Sequence, residues 1–239
     1  MILDVDIGNS RLKWRLGQAT GAVALDELGA LIAQISSLEC PALTRVRAAC
    51  VAGSAVEQQF SRLCMDHWSV SVEYARVING LGGVKVAYQQ PAVLGVDRWL
   101  AMLAAYRAIG RACVVIDVGS ALTVDFIDVA GNHIGGLIMP GAGMMAESLF
   151  QQTSAVKVAA LTLPQKWQPG CDTVSCVENA VAAAFTGLVR EIIEFGIDHC
   201  GPDVAFLICG GDAQAIACRD SRLRVQPYLV LDGLSVALS

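Results

Sequence analysis

The chain carries little charge, few histidines and none of the familiar metal-binding frameworks. Only 16% of its 239 residues are charged, with a net charge of −5. Lacking any cluster of Lys and Arg, it is not built for nucleic acid as its main partner, because phosphate backbones are bound by grouped cations. The three histidines, His67, His133 and His199, are dispersed, and the nine cysteines form no C-x-x-C and no Cys/His group at zinc spacing. They read as buried free thiols. A Ser-His-Asp framework and a Walker A loop are missing too. No apolar run approaches the ~18 residues of a membrane-spanning helix, and Asp117, Asp125 and Asp128 interrupt the longest candidate. The first residues carry Asp4 and Asp6 without a basic segment and an apolar stretch behind it. A secretory leader is therefore not expected, and a cytoplasmic location is.

What the chain has in abundance is apolar residues, 54% of the total, which predicts strands buried on both faces and helices with wide apolar stripes. Its length suits one large domain or two of about 120 residues. Residues 1–7 alternate apolar and acidic side chains, "GNS" supplies a turn, and 10–16 continue as a second strand. An amphipathic stretch over 25–37, strands at 47–52 and 69–75, and helices at 55–66 and 95–109 follow. Beyond Gly110 the pattern restarts with strands at 112–118, 121–128 and 133–139 and a helix after Pro140. Then come a long helix at 173–197, a strand at 203–209, a short helix after "GGD" and a last helix at 231–238. Such alternation predicts an α/β fold.

Two phrases repeat: "DVDIGNSRLKW" at the start and "IDVGSALTVDF" near the middle. Aligning Asp6 with Asp117 places Gly8 on Gly119 and Asn9 on Ser120, each at a turn between strands. The expectation is two duplicated halves, 1–110 and 111–239, facing each other across a cleft. A glycine at a hairpin tip lets backbone approach a ligand. Successive amides there form an anion-binding concavity, and a nearby Asp holds Mg²⁺ through one or two carboxylates plus the phosphates. Lys13 adds positive charge. The plain alternative is a tight turn. Against it, Asp6 and Asp117 each interrupt an apolar strand, and a buried carboxylate is costly unless satisfied.

These motifs, with "GVDR" at 95–98, "GGLIMPG" at 135–141, "GCDT" at 170–173, "GGDA" at 210–213 and "LVLDGL" at 229–234, resemble the type III pantothenate kinases. That family belongs to the superfamily of acetate kinase, sugar kinases, heat-shock chaperones and actin. The resemblance implies two duplicated actin-like, ribonuclease H-like domains with an ATP cleft between them. It also implies ATP-dependent phosphorylation of pantothenate, the first committed step towards coenzyme A. Asp6, Ile7, Gly8, Asn9, Ser10, Arg11, Leu12 and Lys13 match the first phosphate loop, and Ser120 stands in the second, where the family usually has threonine. Asp97 matches the general base; Gly95, Val96, Arg98, Tyr88 and Thr173 match substrate contacts. Asp117 matches a site for a monovalent cation, K⁺ or NH₄⁺, and Asp6 would meet Mg²⁺ through the phosphates.

Residue chemistry leaves plainer readings beside these. Asp97 could be an ordinary helix N-terminal acid, Arg98 a salt-bridge partner and Tyr88 a packing ring. "GAGMMA" at 141–146 fits G-x-G-x-x-A but has no acid between Glu147 and Asp172, so a dinucleotide site is not expected. "GGDA" reads as either an adenosine contact or a tight turn. By the resemblance the chain is a homodimer, for which helices 95–109 and 173–197 are candidate contact faces. A non-catalytic regulatory relative, or a kinase of another small acceptor, is the rival reading.

Overall fold

The computed structural model describes residues 1–38, 42–151 and 162–239, so Cys40 lies outside the described residues. These divide into two compact units, Met1–Arg107 with Tyr228–Ser239, and Ala108–Pro227. The chain therefore returns to its first unit at the end, a step that a division at 110 does not include.

In the first unit, β1 (Ile2–Ile7), β2 (Arg11–Leu16), β3 (Ala19–Ala24), β4 (Arg45–Cys50) and β5 (Val72–Tyr74) form one sheet in the order β3-β2-β1-β4-β5. The first three strands are antiparallel, while β4 and β5 run parallel to β1. Because side chains alternate across a strand, Leu3, Val5 and Ile7 of β1 share one face with Leu12, Trp14 and Leu16 of β2. This face forms a buried core with Leu28, Leu31 and Ile35 of α1 (Leu28–Ser36) and Phe60 and Cys64 of α2 (Ser54–Trp68).

The alternate positions of β1 carry Asp4 and Asp6. Asp4 is buried and accepts from Arg47 Nε at 2.7 Å and from Arg15 Nη2 at 3.2 Å. Arg15 also pairs with Asp232 and donates to Leu231 O at 2.9 Å, both on α7 (Leu229–Ala237). Burial opposes the charge on Arg15, but its hydrogen bonds to Asp232 and Asp4 outweigh that and hold its pKa above the ordinary value. Arg47 Nη1 reaches Leu238 O at 3.3 Å. The C-terminal helix is thus fastened to the sheet by two arginines.

In the second unit, β6 (Cys113–Val118), β7 (Ala121–Ile127), β8 (His133–Pro140), β9 (Ala205–Cys209) and β10 (Leu223–Val225) pair in the order β10-β9-β6-β7-β8. The antiparallel and parallel pairings repeat those of the first sheet, with β6 in the place of β1. Duplication is therefore present in strand order as well as in the two phrases. The core joins Val114, Ile116, Val118, Leu122 and Val124 to Val181, Phe185, Val189 and Ile193 of α5 (Thr173–Cys200), with Ala142 of α4 (Ala142–Gln151) and Ile216 of α6 (Ala213–Ala217).

Two strands, β3 and β10, are absent from the sequence reading, and β4 and β5 are displaced by a few residues at their ends. The stretch "ATGAVA" of β3 has weak strand propensity. It is held because Gly21 lies opposite Trp14, against the indole, where a Cβ would come within 2.6 Å of the ring. α3 (Val96–Ile109) buries Val96 and residues 98–105 within the chain, so it offers little to a second copy. No helix among the described residues is long and apolar enough to cross a membrane.

Candidate functional site

Both repeated phrases fold into hairpin tips with the same local wiring. In the first, Gly8 N donates to Arg11 O at 3.0 Å, Leu25 N reaches Ser10 O at 3.1 Å and Val51 N reaches Ile7 O at 3.0 Å. In the second, the matching bonds run from Gly119 N to Ala121 O at 3.0 Å, from Gly141 N to Ser120 O at 2.9 Å and from Asp212 N to Val118 O at 3.1 Å. Each tip is thus held by the segment after the third strand of its sheet and by the segment after the fourth.

Around the first tip, Asn9, Ser10 and Arg11 are exposed, and Asp6 and Lys13 are half-buried and directly opposite each other across β1 and β2. Ile7 and Leu12 are fully buried in the core. Any part they take in phosphate binding falls to their backbone. Gly53, at φ 95°, precedes α2 two residues after Val51, whose N–H reaches the tip at Ile7 O.

Around the second tip, Ser120 is exposed and Asp117 half-buried, with Thr123 opposite Asp117 on β7. Gly210, at φ 97°, lies directly against Val118 O and Asp117 Oδ1, leaving no room for a Cβ. Gly141 is likewise pressed onto the Gly119 and Ser120 carbonyls. "GGDA" and the first glycine of "GAGMMA" are therefore supports of the Asp117–Ser120 tip. β8 is an antiparallel edge strand, so the latter is not the strand-to-helix turn of a parallel crossover that a dinucleotide site needs.

The "GVDR" segment opens α3. Asp97 Oδ1 accepts from Arg98 N at 2.8 Å, which keeps the carboxylate at the helix N-terminus. A Cβ on Gly95 would come within 2.6 Å of Asp97 Oδ1, so a larger residue there would push the carboxylate out of its place. Arg98 is 7% exposed; its Nη1 donates to Tyr88 OH at 3.0 Å, and its guanidinium lies 5.9 Å from the Tyr88 ring centroid. The structure therefore brings Tyr88, Gly95, Asp97 and Arg98 together in the first unit. Tyr88 does more than pack its ring.

Thr173 belongs to the second unit, as the first residue of α5, and is exposed. Asp172 caps that helix by accepting from Ser175 N at 2.9 Å. This backbone bond, followed by the Ser175 hydroxyl, holds the Asp172 carboxyl below its ordinary value. Among the described residues no group of three or more His, Cys, Asp or Glu could hold a metal ion. The candidate cation-binding residues, Asp6 and Asp117, offer carboxylate oxygens, which suit a hard cation sharing its coordination with phosphate.

Sequence reasoning missed the Asp4–Arg47–Arg15–Asp232 network. Its only signal was Asp4 itself, since the partners lie on β2, β4 and α7.

A sequence profile for type III pantothenate kinase matches residues 2–195. A type III pantothenate kinase of Teredinibacter turnerae is 43% identical over 251 residues, spanning 99% of this chain and 98% of that protein. One from Pseudomonas fluorescens (strain Pf0-1) is 34% identical over 245 residues, with the same two coverages. Among solved structures, one described as a Baf family transcriptional activator from Campylobacter jejuni superposes with TM-score 0.62 at 20% identity, covering 98% of this chain and 95% of that one. Another, described as a 2-dehydro-3-deoxygalactonokinase from Sinorhizobium meliloti, gives TM-score 0.59 at 13% identity, covering 99% and 98%. The two structures establish the duplicated fold, and the full-length sequence matches go further: this chain belongs to the type III pantothenate kinase family.

Proposed function

We infer that the chain transfers the γ-phosphoryl group of ATP to the primary hydroxyl of pantothenate, giving 4′-phosphopantothenate at the first step of coenzyme A biosynthesis. The observation that carries this reading is a carboxylate set at a helix start beside a buried arginine. Asp97 is fixed by the Arg98 N–H, and Arg98 is aimed by Tyr88. Phosphoryl transfer asks a protein chiefly to position its reactants and to stabilise charge. Asp97 takes the proton of the attacking hydroxyl as the new O–P bond forms and the bond to the β-phosphate oxygen breaks, releasing ADP. Arg98 pairs with the pantothenate carboxylate in a planar fork, with Tyr88, Gly95 and Val96 as its neighbours in the acceptor site; Thr173 is assigned as a further substrate contact from its match to the family pattern.

Each unit supplies one phosphate loop: Asp6 through Lys13 in the first, Ser120 in the second. Asp6 would meet Mg²⁺ through the phosphates, where the ion would neutralise charge on the nucleotide, and Asp117 would hold a monovalent cation that would lower repulsion between phosphates and carboxylates. We place the activity in the cytoplasm and in a homodimer. Edge strand β8, with Leu137 and Ile138 exposed, supports a face for the second copy, and sedimentation equilibrium at twice the protomer mass would bear this out.

A coupled ADP-release assay with pantothenate, run with and without K⁺ or NH₄⁺, tests the reading. Turnover that needs pantothenate and rises with either cation is expected. ADP release only with another small alcohol would move the chain to a different acceptor, and none with any acceptor would favour the regulatory reading.

A further inference from the structure

Cys171 and Cys176, both exposed, flank the first turn of α5. Asp172 is the N-cap of that helix and Ser175 closes a reciprocal capping box with it. Ser175 Oγ accepts from Asp172 N and from Cys171 N, each at 3.2 Å. Cys171 is therefore the residue before the cap, and Cys176 the fourth residue of the helix. Side chains at these two positions meet across a capped N-terminus, ordinarily as an apolar contact.

Two further contacts place the Cys176 sulfur on that side. Cys176 Sγ lies 3.4 Å from Gly170 O, the carbonyl bonded to Cys171 N. Gly170 itself is packed so closely on the backbone nitrogen of Cys176 that a Cβ would collide with it. Standard peptide geometry puts the next Cα about 2.8 Å from a carbonyl oxygen, so the sulfur of Cys176 is within about 6 Å of Cys171 Cα. A disulfide needs the two Cα atoms within about 7 Å, so the exposed cap segment carrying Cys171 has to adjust wherever side-chain rotation alone falls short. By contrast Cys50, Cys64, Cys113 and Cys209 are buried.

We propose that Cys171 and Cys176 form a reversible disulfide that clamps the first turn of α5 and weakens acceptor binding through Thr173, which lies between them. The effect on binding rests on the reading of Thr173 as a substrate contact; the bond itself does not. With hydrogen peroxide as oxidant, one thiolate attacks a peroxide oxygen, the O–O bond breaks, and a sulfenic acid and water result. The second thiol then attacks the sulfenic sulfur, the S–S bond forms, the S–O bond breaks and a second water leaves. Two electrons pass from the two sulfurs to the peroxide, and a dithiol reductant reverses the change.

The test treats the full chain with a small excess of peroxide, then maps its peptides by mass with and without dithiothreitol. The expected peptide spanning 171–176 is about 2 Da lighter and refuses alkylation until reduced. KM for pantothenate rises several-fold while KM for ATP stays put, and neither C171S nor C176S responds. Failure to form this link under conditions that oxidise exposed Cys218 would overturn the proposal. Thr173→Ala separates the two layers. If it raises KM and the disulfide does not, the clamp is wrong; if it leaves KM unchanged, the assignment of Thr173 is wrong.

Discussion

Asp4 and Asp6 stand two residues apart on the same face of β1, yet their surroundings differ. Asp4 is enclosed by Arg47 and Arg15, whereas Asp6 is half-buried at the tip, opposite Lys13. An acid within an apolar strand therefore has two solutions in this chain, and only partners remote in sequence tell them apart. Breaking a buried pair costs far more than replacing it, because the remaining charge keeps its desolvation cost. Arg47→Met should lower stability to urea by about 3–5 kcal/mol, and adding Asp4→Leu should recover a large part of that; an equal loss in single and double variants would show that Asp4 does not need its arginine. The thiols offer a second check. Burial pushes Cys64 and Cys113 up to about 12, so iodoacetamide at mildly alkaline pH should label Cys171, Cys176 and Cys218 and leave those two unmodified until the protein is denatured.

At the scale of elements, whatever rests on local pattern was legible. The hairpin β1–β2 and its copy β6–β7 follow from alternation around a Gly-containing turn. α3 ends at Gly110, whose φ is 66°. β3 was not legible because its propensity is overridden by contact with Trp14, and β10 because three residues at a sheet edge carry too little pattern. Within the site, the tips and the "GVDR" turn were read from sequence, but their supports were not. The role of Gly210 appears only when β9 lies parallel to β6 and brings residue 210 against Asp117. Gly210→Ala should therefore cost about 1–3 kcal/mol through overpacking and raise KM for ATP. An alanine variant with wild-type stability and nucleotide affinity would remove this glycine from the site.

For the whole molecule, one topology is used twice, and the end of the chain comes back to the first unit. α7 caps the Asp4 face of the sheet, and its Gly233 is pressed against the backbone of Leu100 on α3. The last helix thereby fixes the depth of the helix that carries Asp97 and Arg98. Under the proposed reading, each unit of the duplicated fold supplies a phosphate loop, and the first also supplies the base, Asp97. A general base contributes roughly 10²–10⁴-fold to rate. The most direct measurement follows ³²P from γ-labelled ATP into pantothenate, with wild type and Asp97→Asn side by side. Wild type should yield labelled 4′-phosphopantothenate, and the variant should slow transfer by about 10²–10⁴-fold while still binding ATP. Label that never reaches pantothenate, or reaches it equally fast in both proteins, would contradict the assignment.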